Sequence, residues 1–143
     1  MNKYFSGITR FMIVCSIFIL GGCATGMLYD EAAQTIPALA SDKGRVYIYR
    51  TTVFGTAIQP AVKVNGREEG KAIPGGFFTV DLEPGTHSVS TTQETQITLN
   101  LAANQELYVR LEMRMGVFVG TVQPVLVDNS VGESEIRKTR YVP

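Results

Sequence analysis

Asp81 and Glu83 are the two carboxylates whose spacing suggests acid/base work, because positions i and i+2 of a strand share a face. That chemistry needs both carboxyls on one bond, in environments that split their pKa values. At a strand end beside a turn, the preferred reading is a solvated edge. His87 is the one histidine in the chain. As a general base it would need an orienting partner and a nucleophile within reach, and the sequence has no Gly-x-Ser-x-Gly elbow to supply one. It is read as a strand residue beside a turn. Gly75-Gly76 lacks the following lysine and helix of a phosphate loop. Two cysteines and one histidine do not make a closed four-ligand Cys/His zinc site. The residues therefore point to no catalytic centre, no metal and no cofactor. The 13 Lys+Arg balance the 13 Asp+Glu, and nucleic-acid binding, which relies on a basic patch, is not expected.

Cys23 is where the sequence does suggest chemistry. Leu20-Gly21-Gly22-Cys23 is an aliphatic residue, two small residues and a cysteine, and it resembles a bacterial lipobox. Small residues let extended backbone thread a narrow peptidase site, and the thiol takes a diacylglycerol thioether. Lys3 and Arg10 precede a ten-residue segment, 11–20, in which only Ser16 is polar. As a helix that segment spans about 15 Å, half of a bilayer core of about 30 Å, so it reads as a signal peptide and not a spanning anchor. Residues 1–22 are the expected signal. Stable anchoring takes two or more acyl chains, since each buried methylene adds about 0.8 kcal/mol. In such lipoproteins Asp just after the cysteine marks inner-membrane retention; here that position is Ala24, followed by Thr25, which implies the outer membrane, facing the periplasm.

The elements that follow are strands and turns. Residues 23–43 are expected to be a loosely packed tether and lead-in, with a short helix over 29–34 that Pro37 limits. Residues 44–143 are expected to form one domain, which suits a chain of 143 residues at about 100–200 per domain. Arg45-Val46-Tyr47-Ile48-Tyr49-Arg50 is rich in strand formers, and Asn65-Gly66 is a hairpin dipeptide. Pro84-Gly85 is read as a second hairpin turn. Phe78, Val80 and Leu82, then Ile97, Leu99 and Leu101, then Leu107, Val109, Leu111 and Met113 alternate with other residues. About seven to eight strands at regular spacing predict an all-β, antiparallel β-sandwich. A short C-terminal helix is expected over 133–138, capped by Asp128 or Ser130, with Val131 and Ile136 as its core contacts.

From Gly44 to about Arg140 the chain resembles a bacterial lipoprotein family carrying domain of unknown function 2846. The resemblance lies in residues 45–50, in Val62-Lys63-Val64-Asn65-Gly66, in Leu107-Tyr108-Val109-Arg110 and, most specifically, in residues 74–87 from Pro74-Gly75-Gly76 to His87. It implies a β-sandwich surface domain and brings no activity or catalytic residues.

Four aromatic residues are candidates for an interaction surface: Tyr47, Tyr49, Phe54 and Phe118. Tyr47 and Tyr49 share a face, which is either exposed to a partner or buried under a covering helix. Phe54 and Ile58 in the 51–59 loop either fold back on the domain or meet a partner. Met113, Met115 and Val117-Phe118-Val119 form either a core strand or an exposed apolar patch. The expected function is a non-enzymatic, lipid-anchored envelope lipoprotein. Its acyl chains would hold it in the membrane, and its sandwich would face an envelope protein partner. The alternative is a periplasmic small-ligand or glycan-binding module, which requires the aromatic residues to converge on a pocket.

Overall fold

The computed structural model describes residues 26–143 apart from 93, 94 and 118. The all-β sandwich is what these residues form, with nine strands and two short helices among them. The order is α1 (Tyr29–Ala32), β1 (Gly44–Tyr49), β2 (Ala61–Val64), β3 (Arg67–Lys71), β4 (Gly76–Leu82), β5 (Gly85–Ser90), β6 (Gln96–Leu101), β7 (Glu106–Met115), β8 (Gly120–Val127), α2 (Asn129–Ile136) and β9 (Arg140–Tyr141). One sheet runs β8-β7-β1-β4-β9 and the other β3-β2-β5-β6. Most neighbours are antiparallel, but β1 pairs with β7, and β4 with β9, in parallel.

β1 is buried along its whole length. Val46 and Ile48 face the second sheet and join Val62, Val64, Phe78, Val89, Leu99, Val109 and Leu111 in the main core. Tyr47 and Tyr49 face the other way, into a second cluster with Ala32, Phe77, Tyr108 and Ile136. A strand apolar on both faces needs a layer over each. The second sheet supplies one layer, and α1 and α2 supply the other. Helices this short do not hold their shape alone in water. The aromatic face holds them: Tyr47 stacks on Tyr108 with centroids 4.9 Å apart, and Tyr29 of α1 leans on Phe77 at 5.5 Å. Each such pair adds about 0.5–1.5 kcal/mol beyond its buried area. Part of the lead-in thus belongs to the fold, for Ala32 is fully buried and Leu28 bridges to Arg140, while most of residues 33–42 are exposed.

The Asn65-Gly66 turn closes the β2–β3 hairpin, with positive φ at both residues as a primed turn requires. Pro84-Gly85 does not close a hairpin. β4 lies in one sheet and β5 in the other, so this turn carries the chain across the sandwich. β5 instead pairs with β2 and β6 of the four-stranded sheet, while β4 pairs with β1 along its length and with β9 only at Gly76 and Phe77. The C-terminal helix starts earlier than expected, at Asn129. Asp128 is its N-cap but makes no side-chain capping bond. Its core contacts are Ile136 and Gly132, while Val131 is exposed. Gly132 is needed because α2 crosses Tyr108 closely: a Cβ there would sit 2.3 Å from the Tyr108 Cβ and Cγ.

Arg50 follows β1 in the alternation of Val46 and Ile48 and is fully buried at the end of the sandwich. Its guanidinium donates to four carbonyls: Nη1 to Ile58 (2.7 Å) and Ala72 (2.9 Å), Nη2 to Phe54 (2.8 Å) and Gly55 (3.2 Å). Burial lowers its pKa, but an arginine starts from about 12.5 and keeps its charge. The planar fork thereby joins the 51–59 loop to the residue after β3.

Two substitutions test this packing. Gly132→Ala gains about 1 kcal/mol of helix propensity, yet the contact with Tyr108 outweighs it. A net loss of about 1–3 kcal/mol in urea unfolding is expected, and a gain would show that α2 does not press on Tyr108. Arg50→Lys keeps the charge but cannot span both pairs of carbonyls, so a loss of about 2–4 kcal/mol is expected. An unchanged unfolding midpoint would remove Arg50 from this role.

Candidate functional site

The lipobox residues Leu20, Gly21, Gly22 and Cys23, and Phe118, lie outside the described residues. Tyr47 and Tyr49 do not form an open surface. They are 6% and 0% exposed, so of the two readings the covered face is the one the structure has. The reason is the pair of helices laid over that side of β1. Tyr47 Oη donates to Glu106 (3.1 Å) and Tyr49 Oη to Glu135 (2.6 Å). Burial pushes both hydroxyls well above the usual tyrosine range, so they stay protonated donors. Tyr47, Tyr49 and Phe54 do not line a shared pocket among the described residues.

The 51–59 loop divides its apolar residues. Ile58 packs on the main core, while Val53 and Phe54 are 70% and 62% exposed. The β7–β8 hairpin is likewise exposed at its tip and is not a core strand there: Met115 is 70%, Val117 90% and Val119 68% exposed. The two segments touch. A Cβ on Gly55 would meet the Met113 methyl at 2.4 Å, and one on Gly120 would lie near Met113 and Ile58. The hairpin registers explain the exposure. Tyr49, the last residue of β1, pairs with Arg110, and β7 runs on to Met115 with only β8 beside it. Val53 and the Met115–Val119 tip thus form one apolar end of the sandwich, with Phe54.

Beside this end is a polar network that the sequence did not reveal. Arg110 donates to Glu135 Oε1 through Nη1 (2.7 Å) and to Glu112 Oε1 through Nη2 (2.6 Å) and Nε (3.0 Å). Glu135 also accepts from Tyr49. The hydrogen bond with Glu112 is the main reason the Arg110 pKa is raised. A cleft of about 300 Å³ opens here, lined by Thr51, Thr52, Arg110, Glu112, Met113 and Glu135. With both carboxylates on its guanidinium, Arg110 ties α2 to β7 and has no free fork for an anion. The signal that could have found it is the Arg110-x-Glu112 spacing, which puts both residues on one face of a strand. Glu135 is too distant in sequence to be added by pattern.

The residues screened for catalysis are engaged elsewhere. Asp81 pairs with Arg45, Oδ1 to Nε at 2.6 Å and Oδ2 to Nη2 at 2.8 Å. Glu83 pairs with Lys43 at 3.2 Å. The two carboxylates thus make separate ion pairs instead of a shared site. His87 Nε2 lies 2.7 Å from the Glu83 carbonyl and Nδ1 2.9 Å from Asn65 Nδ2. A ring with its proton on Nε2 satisfies both contacts. Among the described residues, no group of three or more His, Cys, Asp or Glu could hold a metal ion.

An uncharacterized protein of Haemophilus influenzae is 27% identical over 136 residues, which cover 90% of this chain and 81% of that protein. The family described as "Protein of unknown function (DUF2846)" matches residues 40–122, from just before β1 into β8. With more than half its length matched, from the central strand through the β7–β8 tip, the chain belongs to the DUF2846 family.

Proposed function

We propose that this chain is a lipid-anchored envelope lipoprotein, held at the outer membrane facing the periplasm, whose sandwich is a non-enzymatic binding module. The observation that carries the reading is Leu20-Gly21-Gly22-Cys23 placed directly after a basic start and an apolar segment. The fold is compatible with such an anchor. Chain entry at Gly26 and Met27 is fixed against the C-terminal strand, where Met27 O accepts from Tyr141 N at 2.8 Å. A domain tied to its own N-terminus needs no further linker to stay beside a membrane. The role is tethering, because confinement to one surface raises the effective concentration toward other membrane-bound proteins.

The partner surface, on this reading, is the outer face of the four-stranded sheet. Lys63, Thr86, Gln96, Thr98 and Asn100 are exposed there. The aromatic face of the other sheet is already covered by its own helices. The non-catalytic reading is supported by Asp81, Glu83 and His87, each bound in a structural contact.

Two experiments test these points. Cys23→Ser is expected to leave the signal uncleaved and the chain without radiolabelled acyl groups. Normal labelling of that variant would sink the anchor. A photo-crosslinking residue in place of Thr98 is expected to capture a defined envelope protein in cells, whereas one in place of Asp128 is not. Equal capture at both positions would refute the assignment of the sheet face.

A further inference from the structure

We propose that the apolar end of the sandwich, formed by Val53, Phe54, Met115, Val117 and Val119, rests in the headgroup layer of an anionic bilayer, the same bilayer that takes the acyl chains of Cys23. This inference rests on the lipidation reading above. Three observations lead to the bilayer as occupant.

The first is the patch itself. Five large apolar side chains from two touching segments are exposed together, and soluble surfaces rarely leave such groups uncovered. The hairpin carries them past the body of the sheet. β7 continues from Arg110, level with Tyr49, to Met115, which is about 17 Å at about 3.4 Å per residue. The tip therefore meets a surface before the rest of the domain does.

The second is charge. Lys71 ends β3 opposite Ala61, Arg140 starts β9 opposite Gly76, and Arg114 sits next to the hairpin tip; all three are exposed and all lie toward this end. Glu112, near the tip, is shared by Arg110 (2.6 Å) and Arg114 (3.8 Å). Asp42, Asp81 and Glu83 lie at the other end, near the start of β1. Apolar groups ringed by cations suit an anionic lipid surface, into which amphipathic surfaces sink by about 5–10 Å. A second copy of the chain docked end to end would set these cations against one another.

The third is the position of the anchor. Arg140 Nη1 donates to the Gly26 carbonyl at 3.0 Å, so the chain enters the domain on the side that bears Arg140. Two residues, Ala24 and Thr25, lie between Cys23 and Gly26, a reach of at most about 11 Å over three peptide steps. An acylated Cys23 therefore brings the bilayer to this end of the sandwich, close enough that tilting the domain seats the hairpin tip.

The test uses the full chain, expressed in a lipidating host and reconstituted into vesicles of phosphatidylethanolamine and phosphatidylglycerol. Val117→Cys carries a polarity-sensitive nitrobenzoxadiazole probe, and Asp42→Cys, exposed just before β1 at the other end, carries the same probe. Mass spectrometry of the N-terminal peptide reads acylation in the same sample. The Val117→Cys probe is expected to shift to the blue and to lose intensity at least about twofold to lipid-attached nitroxides, with the Asp42→Cys probe unaffected. A water-like Val117→Cys probe on an acylated, vesicle-bound chain overturns the inference and leaves the anchor standing. A blue shift without lipid quenching assigns the end to a protein contact and also overturns it. Absence of acyl mass on Cys23 overturns the anchor, and the inference with it.

Discussion

Strand β1 hydrogen-bonds to β7 on one side and β4 on the other, and none of its six residues is left open to water. A two-sided strand has no solvent face to spare, so each side needs a cover. The four-stranded sheet covers Val46 and Ile48, and the N- and C-terminal helices cover Tyr47 and Tyr49. The helices come from opposite ends of the sequence, and the aromatic face is what joins them. Arg137 at the end of α2 pairs with Asp30 of α1 over the same face. The layer most distant from the sandwich core is thus organised by the strand at its centre.

The end of β1 has a different character. Where the apolar alternation would continue, the chain places Arg50, whose described partners are carbonyl oxygens. Four acceptors around one cation are each stronger than a neutral hydrogen bond, and together they offset the burial of the charge. A loop fixed from beneath in this way can keep Phe54 and Val53 outside. The exposure of the apolar end is therefore built on a buried ion, and it does not reflect a lack of packing.

Much of the strand pattern was legible, for plain reasons. The alternation of Leu107, Val109, Leu111 and Met113 admits one buried face, and Asn65-Gly66 admits one type of turn. Sheet membership was not legible. Pro84-Gly85 marks a turn in the chain, but which sheet β5 joins depends on its pairing with β2 and β6. Tyr47 and Tyr49 left two readings open because tyrosine suits both a covered and an open face. Gly132 reads as a weak point in a helix until Tyr108 is beneath it. Arg50 looks like a surface cation, since nothing local announces four convergent carbonyls. Of the candidate site, the proposed lipobox is read as contiguous residues, which lie outside the described ones, whereas the network of Tyr49, Arg110 and Glu135 exists only in three dimensions.

The parallel contacts of β1 with β7, and the clasp between the first and last described segments, bear on the order in which the domain assembles. Tyr47 meets Glu106 across 59 residues, and Gly26 meets Arg140 across 114. A chain that emerges N-terminus first, from a ribosome or through a translocation channel, exposes its central strand long before β7 can pair with it. It completes the helical layer only when the last residues are free. Pairing of β1 with β7 and closure of the helical layer therefore come late, and the aromatic face of β1 stays uncovered until they do.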